Sequence, residues 1–399
     1  MKRFALITIS ALIALVLAQG AGMPLSAQSG TKVGDDLVVH EWGTFTSIAG
    51  EKGVSVEWRP LAGRSDLPTF VYTSGDAESG KGLRSGRPCT KCNLEALIRM
   101  ETPVLYFYTD RETRVSVRVD FPTGQITEWY PYARLVRTSK SDGSIEWGAF
   151  TVVPGAEPRL PVEQGESHYY PARETDASPL KVCGAKSTEF EKFLFYRGVG
   201  NFDLPVAVSL EGERVLLNNR GRYAVGKVVV FENRHGKIGY SIQELAAGSL
   251  SIERPALVGN VDSLLRDLEQ KLIQQGLYEK EARAMLKTWR DSWFEEGLRL
   301  FYVLPRPLTD AILPLSIDPM PRDLVRVLMA RTEIITPEME QAMVEQLAKL
   351  TDPSAEVRER ALKAIRANGR FSEPVLRRIR EKTLDRETRL QIDKLIKRV

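Results

Sequence analysis

Histidine and cysteine are scarce in this 399-residue chain, with three of each, and several chemistry-bearing patterns are missing. No glycine-rich loop precedes a helix as a phosphate-binding loop requires, and there is neither a G-x-S-x-G elbow nor an H-E-x-x-H pair. Charge of one sign is lacking too: 56 Lys/Arg face 52 Asp/Glu, which gives no reason to expect a nucleic-acid partner. After residue 18 no apolar run approaches the ~20 residues that span a bilayer, so no transmembrane segment is expected in the mature chain. Three cysteines do not make a stapled scaffold, and a chain of this length builds a sizeable core without staples.

What is present begins at the N-terminus. Lys2 and Arg3 precede an apolar run over residues 4–18, followed by Gly20, Ala21, Gly22, Pro24, Ser26 and Ala27. That order predicts a Sec-type signal peptide over residues 1–27, cleaved after Gly20 or Ala27, and a periplasmic or extracellular mature protein. Charge is uneven, because residues 352–399 hold 14 Lys/Arg against 8 Asp/Glu. Such a basic tail reads first as a solvated helical surface, and second as a contact for a protein or an anionic envelope polymer.

Between residues 37 and 257 short β-like runs alternate with Gly, Pro, Asn and Asp. Val115, Val117, Val119 and Phe121 alternate with polar partners, and residues 126–130 read as the return strand of a hairpin turning through Pro122, Thr123, Gly124 and Gln125. A second hairpin is predicted over residues 225–242, with His235 in its turn. Residues 66–92 and 154–186 read as long surface loops, of a length that often carries function. After Gly259 the period changes to 3.6. Leu264, Leu268 and Leu272 share one helix face, and Met285, Trp289 and Trp293 share another. These form a helical insertion at about 260–295, with strand expected again at 298–304 and 324–330. From Thr336 the chain turns helical, with Thr336-Pro337 and Asp352-Pro353 as helix starts and Asn368-Gly369 as a stop. Asp352 and Asp385 are 33 residues apart, as are Val357 and Leu390, and this spacing predicts two helical hairpins. The expected class is α+β: a mainly antiparallel β body, sandwich or barrel-like, over residues 28–335, then a helical tail over 336–399. Two hairpins are too few for an independent solenoid, so the tail should dock on the body.

His235 is expected to be an exposed turn residue. Strand alternation puts His40, Trp42 and Thr44 on one face and Glu41, Gly43 and Phe45 on the other, so His40 and Glu41 do not chelate one metal. A hydrogen-bonded core histidine is favoured at position 40 over a catalytic one. His168 lies in a polar cluster with Glu166, Arg173, Glu174 and Asp176, which combines acid/base groups with a guanidinium that suits an anion. That cluster is the best candidate site, with a hydrogen-bonded loop anchor as the alternative. Cys89 and Cys92 form Cys-Thr-Lys-Cys ahead of a helix-like segment at 93–100, and the third cysteine is Cys183. Asn93 excludes C-x-x-C-H haem attachment, and a zinc site from the three cysteines and His168 lacks a second paired motif. In an oxidising compartment a disulfide within this set is expected, leaving one thiol free. No cofactor or metal set is identified. Arg306, Arg322, Arg326 and Arg331 form a basic series that reads as a solvated face.

Residues 40–47, His-Glu-Trp-Gly-Thr-Phe-Thr-Ser, resemble a motif of signal-bearing bacterial proteins that have no established activity. The resemblance continues through residues 100–108, 127–131, 191–198 and 288–297 and covers most of residues 37–335. It implies a secreted address and one β-rich body, and carries no catalytic residues over. The stretch at 352–358, Asp-Pro-Ser-Ala-Glu-Val-Arg, resembles the inter-helix turn of HEAT-like repeats. Two functions are compatible with these features. One is a binding or scaffold protein, and the other is a hydrolase-like enzyme acting on envelope polymer through His168, Glu166, Arg173, Glu174 and His40.

Overall fold

The computed structural model describes residues 33–50, 52–62, 66–74, 91–139, 141–165, 167–184 and 187–397. The signal segment at 1–27, Cys89, Glu166 and most of the loop expected at 66–92 lie outside these residues. The fold is α+β, with three open sheets rather than a barrel.

A nine-stranded sheet forms the middle of the body, in the order Lys237–Leu245, Gly226–Arg234, Gly297–Val303, Met320–Ile334, Val33–Ala49, Ile98–Tyr108, Leu194–Gly200, Gly124–Tyr130 and Tyr72–Thr73. Among the described residues Val33–Ala49 pairs in parallel with Met320–Ile334, and the other ladders are antiparallel. Both faces of the sheet are covered. Alternation sends Val39 and Phe45 into a core shared with the six-stranded and three-stranded sheets, while Trp42 joins a second core beneath helices. The second core is closed by α1 (Val261–Gln274), capped by Asn260 and buried through Leu264, Leu268 and Leu272, and by α2 (Glu279–Trp293), buried through Met285, Trp289 and Trp293. The helical insertion therefore forms the third layer.

Residues 40–47 stand at the centre of this arrangement, and each side chain is buried. At Gly43 a Cβ would lie 2.9 Å from both Leu328 Cδ1 and Pro103 Cα, where the pairing with Ile98–Tyr108 shifts register. Only glycine fits that approach without displacing a neighbour. Thr46 donates to Glu101 at 2.9 Å and Ser47 to Thr332 at 3.1 Å. Glu41 is the direct register partner of Arg326, whose Nε donates to it at 2.5 Å, and Tyr196 donates to the same carboxylate.

Several expectations need correction. Thr113–Phe121 and Gly124–Tyr130 do not pair as a hairpin. The first joins the six-stranded sheet and the second the nine-stranded one. Val115 to Phe121 and Ile126 face one core from opposite walls, and a period of two cannot distinguish a corner between sheets from a hairpin. The helix expected at 93–100 is a short 3-10 turn, Lys91–Asn93, followed by Ile98–Tyr108. Without a helix the dipole argument for an acidified cysteine falls away. Cys92 is disulfide-bonded, and Cys183 is a free, exposed thiol. Arg326 and Arg331 are not on a solvated face, because both side chains are wholly buried in ion pairs. Arg306 fits that reading better, since it is exposed and pairs with Asp310 on α3 (Arg306–Ile312).

The tail comprises α4 (Pro337–Lys349), α5 (Ala355–Ala367), α6 (Ser372–Lys382) and α7 (Arg386–Ile396). Thr336 caps as expected and Asp385 caps α7, but Ser354 rather than Asp352 caps α5. Asp352 instead accepts from the Ser354 backbone N–H at 2.8 Å. Met343, Ile365, Phe371 and Leu376 of the tail share a core with Ile48, Trp58 and Ile335 of the body. No described helix is long and apolar enough to cross a membrane.

Removing Glu41 leaves wholly buried Arg326 with the half-exposed Asp310, at 2.8 Å, as its remaining counter-charge. Glu41→Gln should therefore lower unfolding free energy by roughly 3 kcal/mol, whereas Arg306→Gln at the exposed Asp310 pair should change it by less than about 1 kcal/mol. Urea midpoints of the two variants provide the comparison, and equal midpoints would contradict it.

Candidate functional site

Two of the three carboxylates on helix α2 stand ten residues apart, Glu281 near its start and Asp291 in its last turn. Each meets a histidine. Glu281 is fully buried and accepts from the Tyr278 backbone N–H at 2.7 Å and from Tyr108 Oη at 2.8 Å, and its Oε2 lies 2.8 Å from His40 Nδ1. At the far end, His168 Nε2 lies 2.9 Å from Asp291 Oδ2. At 1.5 Å rise per residue the two carboxylates are roughly 15 Å apart along the helix. His40 and His168 therefore do not form one site.

His168 lines an open cleft of about 600 Å3 with Asp66, Lys287, Arg290, Asp291 and Phe294. Three segments hold it in place. Its Nδ1 lies 3.2 Å from Asp66 Oδ2, and Asp66 takes a two-pronged contact from Arg197 at 2.7 and 3.0 Å. Ser167 Oγ donates to the Asp66 carbonyl at 2.7 Å, and the His168 ring lies over Trp289 with centroids 5.0 Å apart. Behind it, the 3-10 turn Tyr170–Arg173 is fixed by Arg173, which pairs with buried Glu191 at 2.6 Å and lies over the rings of Tyr169 and Tyr170.

The electrostatics follow from these contacts. The hydrogen bond to Asp66 raises the His168 pKa, burial opposes it, and Asp291 adds to the rise. Burial alone would raise the Asp66 carboxyl, but Arg197, His168 and Arg99 hold it far below the ordinary carboxylate range. A neutral imidazole donates from one nitrogen only, so carboxylates at both nitrogens favour the imidazolium. His168 is then a charged brace between a loop and a helix, and Nε2 becomes free for proton transfer only when Asp291 moves.

The other expected site residues disperse. Arg173 serves Glu191, Glu174 pairs with Lys287 at the surface, Asp176 pairs with Lys280, and His40 is buried at the opposite end of α2. Glu166 lies outside the described residues. His235 is an exposed turn residue with φ 52°. No group of three His, Cys, Asp or Glu side chains among the described residues is placed to hold a metal ion. Asp66, Asp291 and Arg197 were not foreseen. Asp291 had one faint signal, as an acid beside the Trp289 and Trp293 stripe, and Asp66 had none. No protein-family model matches this chain, and no curated protein does.

The sign of the pH dependence is fixed by the raised His168 value. Above its ordinary 6.5 the folded chain binds a proton that the unfolded chain has released, so the contribution to stability is complete below that pH. It is lost as pH rises through the higher folded-state value. The stability gap between the natural chain and His168→Gln should shrink on going from pH 6 to pH 9. A gap that stays constant in denaturant titrations would rule out the charged brace. Asp66 acts in a separate window: its contribution is present above the ordinary 3.8 and disappears in acid as pH falls through its depressed folded-state value.

Proposed function

We propose that this is a binding protein working outside the cytoplasm, with its ligand received in the His168 cleft. The observation that carries this reading is the engagement of both His168 nitrogens by carboxylates. A histidine held in that way braces a preformed cleft and is not poised as a base. The commitment of His40 to Glu281 supports it further. A volume near 600 Å3 suits a small-molecule ligand. Apolar Pro171, Val261 and Phe294 suit one with an apolar body, and an anionic group on it would compete with the exposed carboxylates Glu174 and Asp262 for Lys287 and Arg290. The signal pattern at residues 1–27 and the disulfide at Cys92 favour an oxidising compartment. In this reading the HEAT-like tail is a second surface, where Arg358, Arg360 and Lys363 are exposed on α5 and suit an acidic protein or envelope polymer.

One observation favours the hydrolase-like alternative. The Asp291 side chain is 72 % exposed, so it can swing away and leave Asp66 orienting a free His168 base, the arrangement that general-base chemistry uses.

Titration of the full mature chain with small carboxylates of increasing apolar size, and its incubation with soluble oligosaccharide fragments of envelope polymer, separate the two readings. Binding should perturb tryptophan fluorescence through Trp289, and Val261→Trp, which fills the cleft, should weaken it at least about tenfold while leaving the unfolding midpoint in place. Fragment cleavage by the natural chain that vanishes in His168→Asn would replace the binding reading with the hydrolase. Undiminished affinity in Val261→Trp would remove the cleft from the account.

A further inference from the structure

The two carboxylates on His168 are held very differently. Asp66 is anchored from behind. It takes Arg197 Nη1 at 2.7 Å and Nη2 at 3.0 Å, the Arg197 side chain is 2 % exposed, and Arg99 Nη2 stands 3.8 Å away. Asp291 has no such anchor. Its oxygens lie 3.0 and 2.9 Å from His168 Nε2, and Oδ1 also accepts from the Ser292 backbone N–H at 2.7 Å. Its side chain is 72 % exposed, and among the described residues its one ion pair is with His168.

An acceptor that already stands mostly in water loses little by leaving an exposed ion pair, whereas Asp66 cannot leave Arg197 without stranding it. When Asp291 turns into solvent, Asp66 still holds Nδ1, and the hydrogen bond to Asp66 outweighs the cost of burial in keeping the ring protonated. The imidazolium then presents Nε2–H to the cleft that His168 and Asp291 line together. The other cations nearby are engaged elsewhere. Lys287 pairs with Glu174 and Arg290 with Asp262. Arg370, in the 3-10 turn Gly369–Phe371 of the tail, stands within electrostatic reach of Asp291 but forms its ion pairs with Glu295 and Glu333.

We infer that His168 Nε2 is the carboxylate-recognition contact of the cleft and that Asp291 is an internal competitor which the ligand displaces, so that the ligand is a small carboxylate with an apolar body. The inference rests on the cleft being the ligand site. One anion replaces another on the same N–H, so the exchange leaves no charge unbalanced at the imidazolium. Asp291 is tethered and competes at a high effective concentration, which a carboxylate without an apolar body does not match. Contact with Pro171, Val261 and Phe294 tips the exchange toward a ligand that has one.

Titration of the full mature chain with hexanoate and with its neutral amide hexanamide, at constant ionic strength and followed by tryptophan fluorescence, tests the contact. At pH 6 hexanoate should bind at least about tenfold more tightly than hexanamide, and this preference should shrink by pH 9 as His168 gives up its proton. His168→Gln should abolish the preference. Asp291→Ala, a change at an exposed side chain, should tighten hexanoate binding about tenfold relative to hexanamide binding. Asp262→Ala, which releases Arg290 instead, should change hexanoate affinity less than about twofold. Equal affinity for the two probes at pH 6, or hexanoate binding by Asp291→Ala that is absent or no tighter than in the natural chain, overturns the contact. The cleft reading survives that result if Val261→Trp still blocks binding. Tightening in Asp262→Ala in place of Asp291→Ala moves the carboxylate to Arg290 and overturns the contact as well. Hexanoate binding that Val261→Trp leaves intact removes the cleft, and this contact with it.

Discussion

A charge on a strand that is covered on both faces has to find its counter-charge inside the protein, and much of this structure follows from that constraint. The nine-stranded sheet has no solvated face over its central strands, yet they carry Glu41, Glu101, Arg299, Arg326, Arg331 and Glu333. Glu41 faces Arg326 and Arg299 faces Glu333 as direct register partners. A slip of one residue would turn these charges to opposite faces. Buried pairs add little net stability over well-packed apolar residues of the same size. Their contribution here is to make one register much better than its neighbours, which matters most for the parallel pairing of strands distant in sequence.

The same constraint places α2. An amphipathic helix can slide along a sheet without losing much apolar contact, but Glu281 and Asp291 pin it at both ends through His40 and His168. The buried end is structural. The exposed end frames a cleft, and the brace that holds it open depends on the protonation of one histidine. Just beyond α2, Glu295 meets Arg331 and Arg370, so the cleft wall and the seat of the tail are joined by the short segment that follows the helix.

Much of the architecture could be read in the sequence because it rests on local periodicity. The strands flanking His235, the leucine stripe of α1, the tryptophan stripe of α2 and the Thr336 cap were all legible. Periodicity failed where two solutions share one pattern. Val115 to Phe121 would look the same in a hairpin as at a corner between sheets, and Arg326 looks solvated until Glu41 is placed beside it. Of the candidate site only His168 was legible, because its partners lie 102 and 123 residues away and leave no local trace.

By itself the sequence determined the strand-rich body, the inserted helices and the helical tail, since each depends on spacing within a few turns of chain. It also determined the His40 to Ser47 motif as a unit, though not what the unit does. Only the tertiary structure decided that this motif is the buried centre of the sheet, that His40 and His168 belong to opposite ends of one helix, and that Arg331 and Arg370 share a carboxylate. Those outcomes depend on which distant charges meet once water is excluded, and the energy of such a meeting exists only in the folded chain.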